Sequence, residues 1–181
     1  MTANLAILAA GADAADLAAS AVRVEVCERI GEPTTYRLQF QLQEADGDFP
    51  LLADGRLGPG AELTIGTHVG EVDHVLVQGQ VHGQRLQFRH GAQDSWVEVQ
   101  GGDKAFELDR EVKAKIWSDV TVSDAISSIL SAYGVTADVE AIATSHPEAG
   151  HTLVQRDSDL RFVRDRKSTR LNSSHPLPSR M

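Results

Sequence analysis

Two successive stretches of strict alternation constrain this chain more than any other feature of its sequence. In the first, Val22, Val24 and Val26 alternate with Arg23 and Glu25; in the second, Tyr36, Leu38, Phe40 and Leu42 alternate with Arg37, Gln39 and Gln41. A period of two puts the apolar side chains on one face of an extended strand and the polar ones on the other. That is the pattern of an antiparallel sheet with one buried face. The connector, residues 28–35, carries Gly31 and Pro33, so the pair predicts a hairpin with a longer loop. A loop rich in Asp, Gly and Pro is expected over 44–60. Shorter strands are expected at 61–65, 71–78, 85–89 and 95–100, with glycine-bearing turns between them. In two of these, Leu86 with Phe88, and Trp96 with its neighbouring valines, are expected to face the core. Five or six short strands at this spacing predict an antiparallel barrel or sandwich rather than a parallel sheet.

The period then changes. Val122, Ala125, Ile126, Ile129, Leu130 and Tyr133 recur at the i, i+3, i+4 spacing of a helix. Thr121 with Asp124 three residues on resembles a capping box, and Gly134 follows the last apolar residue as a stop. A second helix is expected to start near Asp157 or Ser158, with Leu160 and Val163 facing inward, and strands are expected at 135–140 and 151–155. The fold class is therefore mainly β with an α+β insertion. A barrel-like domain spans 1–110, and an α/β segment over 111–164 leads into a truncated second domain. Residues 165–181 read DRKSTRLNSSH and then PLPSRM, abruptly basic and without hydrophobic period. The sequencing adapter GATCGGAAGAGC translates to Asp-Arg-Lys-Ser, so this tail is expected to be an adapter artefact and not native sequence.

Composition narrows the function. At 181 residues and 41% hydrophobic content the chain can bury a core. Its net charge of −9 becomes −12 without the tail, with 13 basic against 25 acidic residues. Such a balance disfavours nucleic-acid binding and docking on anionic membranes. The single cysteine, Cys27, excludes an internal disulfide and reads as a small apolar strand residue. The alanine-rich stretch 4–20 is interrupted by Asp13 and Asp16 and lacks a basic leader, so neither a signal peptide nor a membrane span is expected.

The sequence carries no recognisable catalytic pattern. There is no phosphate loop of the P-loop form and no G-x-S-x-G elbow. His68, His74, His82 and His90 recur without an HxH or HxxxH pair and are expected on a solvated strand face, not around zinc. Asp46 with Asp48 falls in a turn and Asp157 with Asp159 at a helix start, where Asp serves as a cap. Trp96 and Trp117 are expected in the core rather than as sugar platforms. No catalytic, cofactor-binding or metal-binding residue is expected, and the chain is read as non-enzymatic.

Three segments carry a family resemblance: LLADGRLGPGAELTIG, SWVEVQGGDKAFELDREVKAKIWSDVTVSDAISSILSAYGV and GHTLVQRDSDLRFVR. The second has the order strand, G-x-D, short helix, Trp-bearing strand and amphipathic helix ended by Tyr-Gly. In this order the three resemble the phage late control D and VgrG-type tail-spike hub family, over roughly residues 20 to 164. The resemblance implies a baseplate hub of a contractile injection system, present as its N-terminal fragment because the family continues past Arg164. It implies a homotrimer whose paired barrel-like domains adapt the sixfold tail tube to the threefold spike, with tail-tube and baseplate proteins and the spike tip as partners. It implies no cofactor, assembly in the bacterial cytoplasm, and a place in a virion or injection particle. Exposed edges of the 22–42 hairpin and the sheet around Trp96 are expected to make subunit or tube contacts. The alternative is a small-ligand or carbohydrate-binding β-barrel without catalysis, which would want clustered aromatics; here aromatics are 5% of residues and stand singly.

Overall fold

The computed structural model describes residues 4–43, 48–69, 72–89, 95–136, 139, 141, 145–146 and 152–165. The chain divides into two compact units, Met1–Asp103 and Lys104–Met181.

The first unit is one antiparallel sheet of seven strands: β1 (Asn4–Ala9), β2 (Ala12–Asp13), β3 (Ala21–Cys27), β4 (Thr35–Gln41), β5 (Glu62–Val69), β6 (Val72–Gln87) and β7 (Trp96–Gly102). Their order is β2-β1-β5-β6-β7-β4-β3. The alternating stretches form the expected hairpin, with Val24 opposite Leu38 and Val26 opposite Tyr36. Tyr36, Leu38, Phe40 and Leu42 are all buried. Val22 departs from the expected face and is 60% exposed, because the β3–β4 ladder slips between Ala21 and Arg23. A bulge there breaks the two-residue period. The alanine-rich start is itself a strand: β1 pairs with β5 along all six residues, and Ala10 and Gly11, both at positive φ, turn it into β2.

Ile7, Leu38, Phe40, Leu63, Ile65, Val97 and Val99 are fully buried in one cluster. The helical segments near them are short: α1 (Ala15–Ser20), α2 (Pro50–Ala53) and a 3-10 turn over Gly55–Leu57. Leu17 of α1 and Leu57 of the 3-10 turn belong to the same cluster, and Leu51 and Leu52 of α2 pack against it. The expected 44–60 loop, within the described residues, holds α2 and the 3-10 turn, whose Leu57 is fully buried. Arg56 ties this turn to α1 by hydrogen bonds to Asp54 and Asp16, and its guanidinium holds both carboxyls below the ordinary range.

The strands expected at 71–78 and 85–89 are one continuous strand, β6, of 16 residues. Its glycines do not turn the chain. Gly79 admits the close passage of β7: a Cβ there would lie 1.8 Å from the Gly102 carbonyl oxygen, and one at Gly101 of β7 would lie 2.2 Å from the Tyr36 hydroxyl, whereas one at Gly83 would meet nothing within 4 Å. Two register shifts bend the strand instead, against β5 at Ile65/Gly66 and against β7 at Val81/Gly83. Leu86 and Phe88, expected in the core, are 44% and 59% exposed at its far end, where Phe88 meets Phe49 edge-on at 5.6 Å. Trp96 also departs from expectation. It alternates with the buried Val97 and Val99 and is only half-buried.

The second unit holds α3 (Ala105–Leu108), β8 (Lys115–Trp117), β9 (Val120–Thr121), α4 (Val122–Ala132), β10 (Ser145–His146) and β11 (Leu153–Gln155), with a further helix, α5, over 159–165. The expected capping box of α4 is present: Thr121 Oγ1 accepts from the Asp124 amide at 3.1 Å and Asp124 Oδ2 accepts from the Thr121 amide at 3.1 Å. Gly134 ends the helix at φ 65°. Leu108, Trp117, Ala125, Ile129, Leu153 and Phe162 form the core of this unit, with Phe162 stacked on Trp117 at 6.5 Å. The expected strand at 135–140 is absent from Val135, Thr136 and Val139, its remaining residues lying outside the described ones. The strand expected at 151–155 covers Leu153–Gln155, with His151 outside the described residues. All of 165–181 except Asp165 is likewise outside them.

Candidate interaction surface and motif network

The histidines do not converge. His68, His74 and His82 lie on the exposed surface of β5 and β6, and His90 lies outside the described residues. Among the described residues no group of three His, Cys, Asp or Glu side chains is placed to hold a metal. Asp46 lies outside the described residues, and Asp48 accepts from the Phe49 amide at 2.7 Å as a turn residue.

Asp157 and Asp159 separate in role. Asp157, exposed at the start of α5, accepts from the Ser158 amide and faces Arg161 at 3.6 Å. Asp159, expected as a cap, is instead only 3% exposed at the centre of a polar network. Its Oδ2 accepts from Lys113 Nζ at 2.5 Å and Tyr133 Oη at 2.7 Å, and its Oδ1 accepts from Gln155 Nε2 at 2.6 Å. Gln155 Oε1 in turn accepts from the Trp117 indole N–H at 3.2 Å. Burial disfavours the Asp159 carboxylate, but the hydrogen bonds from Lys113, Gln155 and Tyr133 together outweigh it and hold the carboxyl below its ordinary range. The same contacts raise the Lys113 ammonium above its ordinary range. Ser158 Oγ also bonds Asp109. The Q-R-D-S-D run thus ties α5 to β8, α4 and the segment after α3.

Two surfaces stand open among the described residues. In the first unit β3 ends the sheet, so its outer edge has no strand partner among the described residues. Beside it an open groove of about 430 Å³ is lined by Val22, Gln39, Gln41, Arg89, Ser95 and Trp96. This is the region the sequence singled out for contacts. In the second unit Ile116 and Val154 pair across β8 and β11 and are 64% and 38% exposed. Among the described residues no helix is long and apolar enough to cross a membrane, which says nothing of membrane β-barrels.

This architecture is that of known tail proteins. The chain matches the 43 kDa tail protein of prophage MuSo2 from Shewanella oneidensis at TM-score 0.64 and 10% identity, over 92% of this chain and 48% of that one. It matches a tail protein from Neisseria meningitidis MC58 at TM-score 0.55 and 11% identity, over 90% of this chain and 44% of that one. The chain therefore spans about half the length of these structures, and at such identity the likeness establishes the fold. No curated protein matches it. The model of the Alg8 N-terminal domain family matches residues 2–170, and the chain belongs to that family. The family so identified is not the late control D and VgrG-type family that the motifs resemble, whereas the tail-protein fold agrees with them.

Proposed function

We propose that this chain is a structural, non-enzymatic part of the baseplate hub or spike of a phage tail or phage-like contractile injection system. In this role it joins the tail tube to a trimeric spike and acts as a homotrimer in the complete protein. The observation that carries the reading is the fold shared with a prophage tail protein over 92% of the chain. The order of the quoted motif supports it: β7, Asp103, α3, the Trp117-bearing β8 and α4 ending at Tyr133-Gly134 follow one another as they do in the hub resemblance. Function here is mechanical, carried by shape and by large interfaces, and the β3 edge with the sheet around Trp96 is the contact surface it requires. The partners are tail-tube and baseplate proteins, and assembly takes place in the bacterial cytoplasm before incorporation into a virion or injection particle.

Deletion of the reading frame in its source bacterium, followed by electron microscopy of released particles, tests the role. Loss of tails with complete baseplates is expected; normal particles would overturn it. Native mass spectrometry of the complete gene product should give a mass three times that of the chain. Long-read sequencing across codon 164 tests the expected artefact: native sequence in place of 165–181 supports it, and a frame ending at Met181 refutes it.

A further inference from the structure

Sheet edges are a liability, because a row of unpaired N–H and C=O groups templates pairing with other chains. The two edges of the first unit are treated differently. At one, β2 covers the end of β1 through the tight Ala10–Gly11 turn, and the chain passes directly into α1. At the other, β3 exposes a seven-residue edge with no proline and no lysine. Its two charged side chains, Arg23 and Glu25, pair with one another at 3.1 Å and are 68% and 45% exposed, and Glu25 stands opposite Arg37 of β4 in the ladder.

The pattern on this edge is self-complementary. When two β3 strands run antiparallel about a twofold axis through Val24, Arg23 lies opposite the second copy's Glu25, and Glu25 opposite the second copy's Arg23. Val24 then meets Val24 on the face that carries the core. A slip of two residues sets Arg23 against Arg23 or Glu25 against Glu25. A slip of one turns the apolar face of one strand to the polar face of the other. The charges and the alternation therefore select a single register.

We infer that the unassembled chain pairs β3 to β3 with a second copy in this register, so that the edge is covered until assembly. A twofold contact closes at two copies, whereas a head-to-tail edge contact would propagate into fibres. The bulge between Ala21 and Arg23 leaves Arg23–Cys27 as the regular part of the edge, and five residues at about 3.3 Å each make a strip of about 17 Å at most. Such a strip falls well short of the roughly 1,200 Å² of a stable interface, so the pair is weak and reversible, as a contact displaced during assembly must be. The pairing itself follows from the edge and its charges, while its release on assembly rests on the proposed hub role.

Cross-linking reads it directly. The full chain carrying Cys27→Ser and Val24→Cys, mildly oxidised, should form a disulfide-linked dimer, because directly opposed residues on paired strands bring their Cβ atoms to about 4.5–5.5 Å. Adding Arg23→Glu puts like charges opposite each other at two places and should slow dimer formation about tenfold. Adding Glu25→Arg to that variant restores opposite charges and should recover the rate. Circular dichroism checks that each variant keeps its fold. The inference is overturned if the folded Val24→Cys chain stays monomeric. It is equally overturned if Arg23→Glu leaves the rate unchanged, or if Cys27→Ser with Arg29→Cys, a cysteine in the exposed loop after β3, links as fast.

Discussion

Replacing Asp159 with alanine removes the acceptor at the centre of the second unit. Three donors lose it: Lys113 Nζ, Tyr133 Oη and Gln155 Nε2. They do not suffer equally. The Lys113 side chain is 37% exposed and can turn to water, so its loss is discounted to about 1 kcal/mol. Tyr133 loses a hydrogen bond to a carboxylate in a partly buried position, about 1 kcal/mol. Gln155 is 1% exposed; its Oε1 still accepts from the Trp117 indole, but its NH2 group keeps only the 3.2 Å bond to the Asp157 carbonyl, which carries a desolvation cost of about 1–2 kcal/mol. The total is about 3–4 kcal/mol, a large fraction of a small unit's stability. The tryptophans allow the effect to be located, since Trp96 belongs to the first unit and Trp117 to the second. In a Trp96→Phe background, urea unfolding followed by Trp117 fluorescence should show a midpoint lower by about 2–4 M, taking a urea slope of about 1–1.5 kcal/mol/M. A loss below about 1 kcal/mol would refute the reasoning, because the buried carboxylate would then be incidental to the packing of α5.

Acid should act through the same group: its folded carboxyl lies below the unfolded value of about 3.9, so its stabilisation is complete at neutral pH and is lost as pH falls through the lower folded value. Unfolding curves taken from pH 7 to pH 3 should steepen in that acid range for the native chain and flatten for Asp159→Asn. Gly79→Ala would place its Cβ 1.8 Å from a backbone oxygen that cannot yield, and a loss of about 3 kcal/mol or more is expected. Gly83→Ala, with nothing within 4 Å of its Cβ, should change the melting temperature little, so thermal melts of the two variants separate crowding from loss of glycine as such. Thr121→Ala removes one half of the α4 capping box and should cost about 1 kcal/mol, measured by helix content and unfolding midpoint.

Much of the fold was legible wherever a period governs the chain. The alternation from Tyr36 to Leu42 places four buried residues correctly, and the Thr121–Asp124 pair with Gly134 marks both ends of α4. The motif order around Trp117 was legible for the same reason, each piece being a short local pattern. Errors came where neighbours in space decide. Gly79 looked like a turn residue, yet it serves the passage of Gly102, a contact between residues far apart in sequence. Leu86 and Phe88 have core-type side chains but stand at the end of a strand that outruns its core. The alanine-rich start looked like nothing in particular, because its strand character comes from pairing with β5.

The sequence by itself determined the β-rich class, the hairpin, the capped helix and the tail-hub resemblance, since those depend on residue type and on periods of 2 and 3.6 within one segment. Only the tertiary structure decided the seven-strand order, the bulge that turns Val22 outward, and the half-buried position of Trp96. It also turned Asp159 from a cap into a buried hub for Lys113, Tyr133 and Gln155. The physical reason is the same in each case. Burial and hydrogen-bond satisfaction are properties of what packs against a residue, and those partners lie 26 to 46 positions away from Asp159 in Tyr133 and Lys113, beyond the reach of any local pattern.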